Sequence, residues 1–201
     1  MTARMFEVDD LAPIERRGSG VRASGDPLLT YDVTVFAGDL ERAVGAAGGW
    51  LCDRVRAGWR VTVVVPPGSD VRALTILGVG AATSESGVDT LRRLRPAALA
   101  VDACVLRDDE RLRREVLRIV DDGSVEVTVW GESGLFAADR RFSRVCHRLS
   151  AAARVFKARA LPPSSAVEGA HRGIEEFVSS ARWYSPEGGD LVPVRPISDA
   201  E

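Results

Sequence analysis

Apolar and polar positions along this chain recur with two periods, one of two residues and one of three to four, and the switches between them outline strands and helices. Leu28–Ala37, reading LLTYDVTVFA, is rich in β-branched and aromatic residues and stops at Gly38-Asp39, which predicts a first strand. Leu40, Val44, Ala47, Leu51 and Val55 then recur at helical spacing, with Asp39 placed to cap the helix and Gly58 to stop it. Gly45, Gly48 and Gly49 fall inside that helix. Each costs about 1 kcal/mol relative to alanine, so close packing against a sheet, or approach of a ligand, is expected to compensate.

Trp59–Val65, WRVTVVV, is a nearly continuous β-branched run of the kind buried in a parallel sheet covered on both faces. It breaks at Pro66-Pro67-Gly68. Ser69-Asp70 is placed to cap a shorter helix reaching about Val79, and Gly80–Gly87 reads as a small-residue loop. A helical turn over Val88–Leu94 precedes a third strand, Ala97–Leu106. Within Asp108–Asp122, Leu112, Val116, Ile119 and Val120 share one helical face, closed by Gly123.

Val125–Trp130 is the fourth predicted strand. From about Leu135 to Leu161, Phe142, Val145, Leu149, Ala152, Phe156 and Ala160 step by three and four, which predicts one long helix ended by Pro162-Pro163. Beyond Ser164 another helix is expected, with Val167, Ile174, Phe177 and Val178 on one face. A proline-punctuated tail follows, and its Trp183 and Tyr184 are expected to lie across the domain or against a second subunit.

Strands alternating with helices at this spacing predict an α/β, Rossmann-like fold: about four mainly parallel strands with helices on both faces. The organisation expected is an N-terminal arm over 1–27, an α/β domain over 28–161, and a C-terminal helix and extended tail over 162–201.

Composition narrows the function classes. With 45% apolar and 28% charged residues the chain reads as globular, and a formal charge of -2 gives no global electrostatic reason for a nucleic-acid or membrane partner. No apolar segment approaches the roughly 18 residues of a membrane span, and no signal-like segment opens the chain, so a cytoplasmic protein is expected. Lys157 is the only lysine, the other cations being arginine; this bias points to a GC-rich bacterial genome. Cys52, Cys104 and Cys146 are odd in number and far apart, with no metal-ligand spacing, and read as small buried hydrophobes rather than a metal site.

In an open α/β sheet, ligands bind beyond the carboxyl ends of the strands. There the sequence offers Asp39, Ser69, Asp70, Asp108 and Ser133 as a candidate rim, whose carboxylates suit acid–base work or a divalent cation. The alternative for Asp39, Asp70 and Asp108 is helix capping, which by itself explains their type and position. Ser133 lies in Gly131-Glu132-Ser133-Gly134, short of the G-x-S-x-G nucleophile elbow because Leu135 holds the fifth position; a capping serine is the simpler reading. Neither the P-loop nor the G-x-G-x-x-G fingerprint of nucleotide sites occurs. Arg140, Arg141, Arg144 and Arg148 make the predicted long helix basic and a candidate surface for an acidic protein partner.

With every catalytic motif absent or incomplete, the first reading is a non-catalytic cytoplasmic interaction or accessory domain that self-associates through the tail and basic helix. The alternative is a small-ligand or nucleotide-binding domain, enzymatic in kind, using the strand-end crevice. A serine hydrolase at Ser133 is the weakest. No cofactor or substrate is specified.

Overall fold

The computed structural model describes residues 22–23, 29–131, 136, 138–163, 173–181 and 191–194. Arg22–Ala23 (β1) and Leu29–Thr30 (β2) form a small antiparallel ribbon. The main run is Asp32–Phe36 (β3), Leu40–Arg56 (α1), Arg60–Val65 (β4), Arg72–Leu77 (α2), Gly80–Thr83 (β5), Gly87–Leu94 (α3), Ala98–Asp102 (β6), Ala103–Asp108 (α4), Glu110–Asp122 (α5) and Glu126–Trp130 (β7). It is completed by Ser143–Arg148 (β8), Ala151–Ala160 (α6), Ile174–Ser179 (β9) and Val192–Pro193 (β10).

Eight strands form one sheet in the order β10-β8-β9-β7-β6-β3-β4-β5. The five from β7 to β5 are parallel, as the alternating pattern requires, and β9, β8 and β10 extend the sheet antiparallel. Side chains of alternating residues separate into two cores. Val33, Val35, Val63, Leu74, Trp50 and Phe177 pack on one side, and Phe36, Leu99, Val101, Leu112, Val116 and Val127 on the other. The mainly parallel α/β architecture with helices on both faces is therefore the one expected. Among the described residues no helix is long and apolar enough to cross a membrane.

Four expectations are corrected. The small-residue stretch after Val79 contains β5, an edge strand that pairs with β4. The third strand stops at Asp102, not Leu106, because the Asp102 carboxylate accepts the Cys104 N–H at 2.9 Å and starts a helix inside the apolar run. The long helix over 135–161 is instead a turn, β8 and then α6. Over β8 the pattern has a period of two, with Val145 and His147 buried and Arg144 and Arg148 exposed, and Ser150 caps the helix that follows. The helix expected around Ile174, Phe177 and Val178 is β9, paired residue for residue with β8. Its inward position is filled by Glu175, so the apolar residues at 174, 177 and 178 mimic helical spacing. Strands β9 and β10 thus lie beyond the boundary expected at Leu161 and join the same sheet.

Two of the three glycines of α1 are closely packed: a Cβ on Gly48 would come 3.0 Å from Val44 Cγ1 and 3.5 Å from Leu77 Cδ1. A Cβ on Gly49 would fall inside the Leu149 side chain and 3.1 Å from Glu175 Oε1, whereas one on Gly45 would meet nothing within 4 Å. Close packing against the sheet is what Gly49 permits.

Candidate functional site at the strand ends

The sheet order reverses around β3, which has β4 on one side and β6 on the other. In open α/β sheets the crevice at such a switch point receives ligands. Asp39, just past β3, caps α1 by accepting the Arg42 N–H at 2.7 Å, and its side chain stays 52% exposed. Asp102, at the end of β6, is buried, with only 4% of its side chain exposed. Arg42 reaches between them: Nε lies 3.9 Å from Asp39 Oδ1, Nη2 lies 3.8 Å from Asp102 Oδ2, and Nη1 donates to Cys104 Sγ at 3.5 Å. Gly131, ending β7, has φ +95°, and a Cβ there would come 3.3 Å from Asp102 Oδ1. Two carboxylates, a guanidinium and a thiol therefore meet where the chain order turns.

Beside this constellation, on the α1 and α2 side of the sheet, a cleft of about 1120 Å³ opens. Its strand-end wall carries Asp39, Ser69 and Asp70, and its opposite wall is the second half of α6, with Val155, Ala158 and Arg159, and Pro162 just beyond it. The turn after β4 is held locally, Ser69 Oγ donating to the Pro66 carbonyl at 2.8 Å and Asp70 Oδ1 accepting the Arg72 N–H at 2.9 Å. Polar groups at the strand ends face a helix wall of Val155 and Ala158 with Arg159 beside them, a mixture of apolar surface and a few polar groups usual for small-molecule sites.

Of the residues expected at the rim, Asp39, Ser69 and Asp70 are brought together in the cleft. Asp39 is also the cap anticipated for α1. Asp108 is not at a strand end: it closes α4, exposed, next to Arg107 at 3.2 Å, and Asp109 is the cap of α5. Reading the third strand four residues too long moved the acid from Asp102 to Asp108. The missed signal is Asp102 itself, a carboxylate within an apolar run. Ser133, Trp183 and Tyr184 lie outside the described residues.

The basic helix does not form. Arg140 and Arg141 sit in a turn, and Arg141 is paired with Asp139 and Asp121 at 2.6 and 2.7 Å. Arg144 and Arg148 lie on β8, with Arg144 3.5 Å from Glu176. Among the described residues no group of three or more His, Cys, Asp or Glu side chains is arranged to hold a metal ion.

A second polar cluster is buried between α1, α6 and the antiparallel strands. Glu175 of β9 accepts Lys157 Nζ at 2.7 Å and the N–H groups of Gly49 and Trp50 at 2.9 and 2.7 Å. Burial pushes the Glu175 carboxyl above the usual carboxylate range, opposed by the Lys157 ammonium and the two amides. Nearby, Asp53 accepts the Ser150 hydroxyl at 2.6 Å and the Ser150 N–H at 2.9 Å, and lies 3.0 Å from His147 Nε2. Burial pushes Asp53 up, but the Ser150 hydroxyl, the Ser150 amide and His147 outweigh it and hold the carboxyl below its ordinary value. The serine hydroxyl here donates to the carboxylate and accepts the Ala153 N–H, so it serves as the cap of α6.

No family model matches the sequence, and no curated protein does. Solved structures do match in fold. A deacetylase triple mutant (Orf2*T) of the teicoplanin biosynthetic pathway is 13% identical with a TM-score of 0.52, over 84% of this chain and 100% of that one. A complex of the deacetylase with teicoplanin is 14% identical with a TM-score of 0.51, over 81% and 98%. The zinc-inhibited form of teicoplanin deacetylase Orf2 gives 13% and 0.51, over 84% and 100%. At these identities the likeness is one of fold.

That likeness corrects the expectation of a non-catalytic interaction or accessory domain. Chains that are enzymes fold this way along essentially their whole length, so missing hydrolase and nucleotide motifs do not argue against catalysis in this architecture.

Proposed function

We propose that the strand-end cleft binds a small organic ligand and that the protein is an enzyme acting on it there. The observation that carries this reading is the cleft of about 1120 Å³ at the carboxyl ends of β3 and β4, with Asp39 on its wall beside the switch point. A fold used by deacetylases supports a hydrolytic reaction, removal of an acyl group from an amine on the ligand. Asp39 is the acid–base group this arrangement offers to an attacking water, being at once fixed by its cap bond and half exposed to the cleft. Arg72 and Arg159, on the walls of the same cleft, supply positive charge for an oxyanion that develops during attack.

The test is hydrolysis of a panel of N-acetylated amines, scored by acetate release, with wild type and Asp39→Asn. Asparagine caps a helix about as well as aspartate. The variant should therefore keep its stability and lose acetate release, whereas equal release by both proteins would remove Asp39 from the chemistry. No release from any member of the panel would overturn the deacylase reading.

A further inference from the structure

Resting on the reading of the cleft as a ligand site, we infer that Lys157 and Glu175 are positioning residues for it. The buried pair fixes α6, which forms one wall, against α1, and so sets the separation between that wall and the strand-end turns carrying Asp39 and Asp70. Lys157 Nζ and Glu175 Oε1 are 2.7 Å apart with 1% and 2% of their side chains exposed. Helix α6 packs on α1 and α2, and residues 155 and 159, two positions to either side of Lys157, line the cleft. At 100° per residue those positions lie on the face opposite Lys157, so a shift of the buried anchor moves the wall directly.

The anchor is directional. Glu175 bonds Lys157 on α6 and, with the same carboxylate, the amides of Gly49 and Trp50 in the middle of α1. One side chain on β9 therefore ties two helices to one point of the sheet. Apolar contacts are non-directional and would leave α6 free to slide along α1. Buried ion pairs add little net stability compared with well-packed apolar residues, so a pair kept here contributes geometry more than free energy.

Composition points the same way. Lys157 is the only lysine in a chain that otherwise takes arginine for every cation, and it is fully buried. A compact ammonium on a flexible stem fits an enclosed single-acceptor site, where a planar five-donor guanidinium would leave donors unpaired. The one departure from arginine thus falls at a fully buried position.

The test places nitroxides on Pro67→Cys, in the turn after β4, and Arg154→Cys, on α6, with Cys104→Ser and Cys146→Ser to leave only buried Cys52. Distances between them are measured by pulsed electron resonance, with and without Lys157→Met/Glu175→Gln. Glutamine keeps an acceptor for one of the two amides of Gly49 and Trp50, which donate to separate carboxylate oxygens, and the double variant leaves no lone buried charge. The expected result is a distance distribution displaced or broadened by more than about 2 Å, the scale of helix shifts. An unchanged distribution overturns the inference, whatever the unfolding midpoint does. Where the double variant does not fold, Glu175→Gln alone is measured and read in the same way. Because the distance needs no ligand, its outcome is separate from acetate release, on which the reading of the cleft itself stands or falls.

Discussion

Two alanine substitutions, Gly45→Ala and Gly49→Ala, should move stability in opposite directions although they lie four residues apart in one helix. At Gly45 the new methyl meets nothing within 4 Å, so the change keeps only the helix-propensity gain. That gain is about 0.4–1 kcal/mol, through a less flexible unfolded chain. At Gly49 the methyl falls inside the Leu149 side chain, which is buried, and 3.1 Å from Glu175 Oε1. Overpacking a well-filled core costs about 1–3 kcal/mol, which set against the propensity gain leaves a net loss of up to about 2.6 kcal/mol. For a chain of this size each kcal/mol moves the midpoint by about 2–4 °C. Thermal and urea unfolding should therefore show Gly45→Ala above wild type and Gly49→Ala below it. Adding Leu149→Ala should make room for the methyl, so that the Gly49→Ala/Leu149→Ala pair costs less than the sum of its members. Equal stability of the two glycine variants, or strict additivity with Leu149→Ala, would refute the close approach of α1 to the sheet.

Other predictions follow from single side chains. Asp102→Ala should cost about 1–2 kcal/mol by removing the cap of α4, whereas Asp108→Ala should stay within about 0.5 kcal/mol of wild type, both read by urea denaturation. Because the folded-state Asp53 carboxyl is held below its ordinary value, its stabilisation is present above the unfolded pKa of about 3.9 and is lost as pH falls through the lower folded value. Asp53→Asn should accordingly flatten the acid limb of stability against pH below about pH 4, and an unchanged limb would contradict the Ser150 and His147 contacts. Exchanging the charges, as Lys157→Glu/Glu175→Lys, should fail to restore the fold measured by near-UV circular dichroism. Gly49 and Trp50 both donate to position 175 and need an acceptor there; a native spectrum would show that the amides are not part of the anchor.

The parallel half of the fold was legible because its signals agree with one another. In β3, β4 and β7 the β-branched runs are bounded by glycine, proline or a capping acid, and α1 and α5 carry both a cap and a periodic face. The antiparallel half was not, and the reason is Glu175. A buried carboxylate at an inward strand position erases the alternation of β9, and without β9 the residues of β8 fit a helix as well as a strand. At the site, Asp39, Ser69 and Asp70 could be found because each follows a strand whose end is marked. Asp102 could not, since strand and helix join inside a single apolar run and only the cap bond to Cys104 divides them. Lys157 was visible as the lone lysine, but its meaning depends on a partner 18 residues away that comes into contact only through the sheet.

The central claim is that the cleft at the strand ends holds a small ligand, and native mass spectrometry of gently purified protein tests it most directly. The account predicts a defined extra mass on the wild-type chain that disappears on denaturation and is lost from a cleft-filling Ala158→Trp variant. An extra mass retained in full by Ala158→Trp would place the ligand elsewhere and contradict the account.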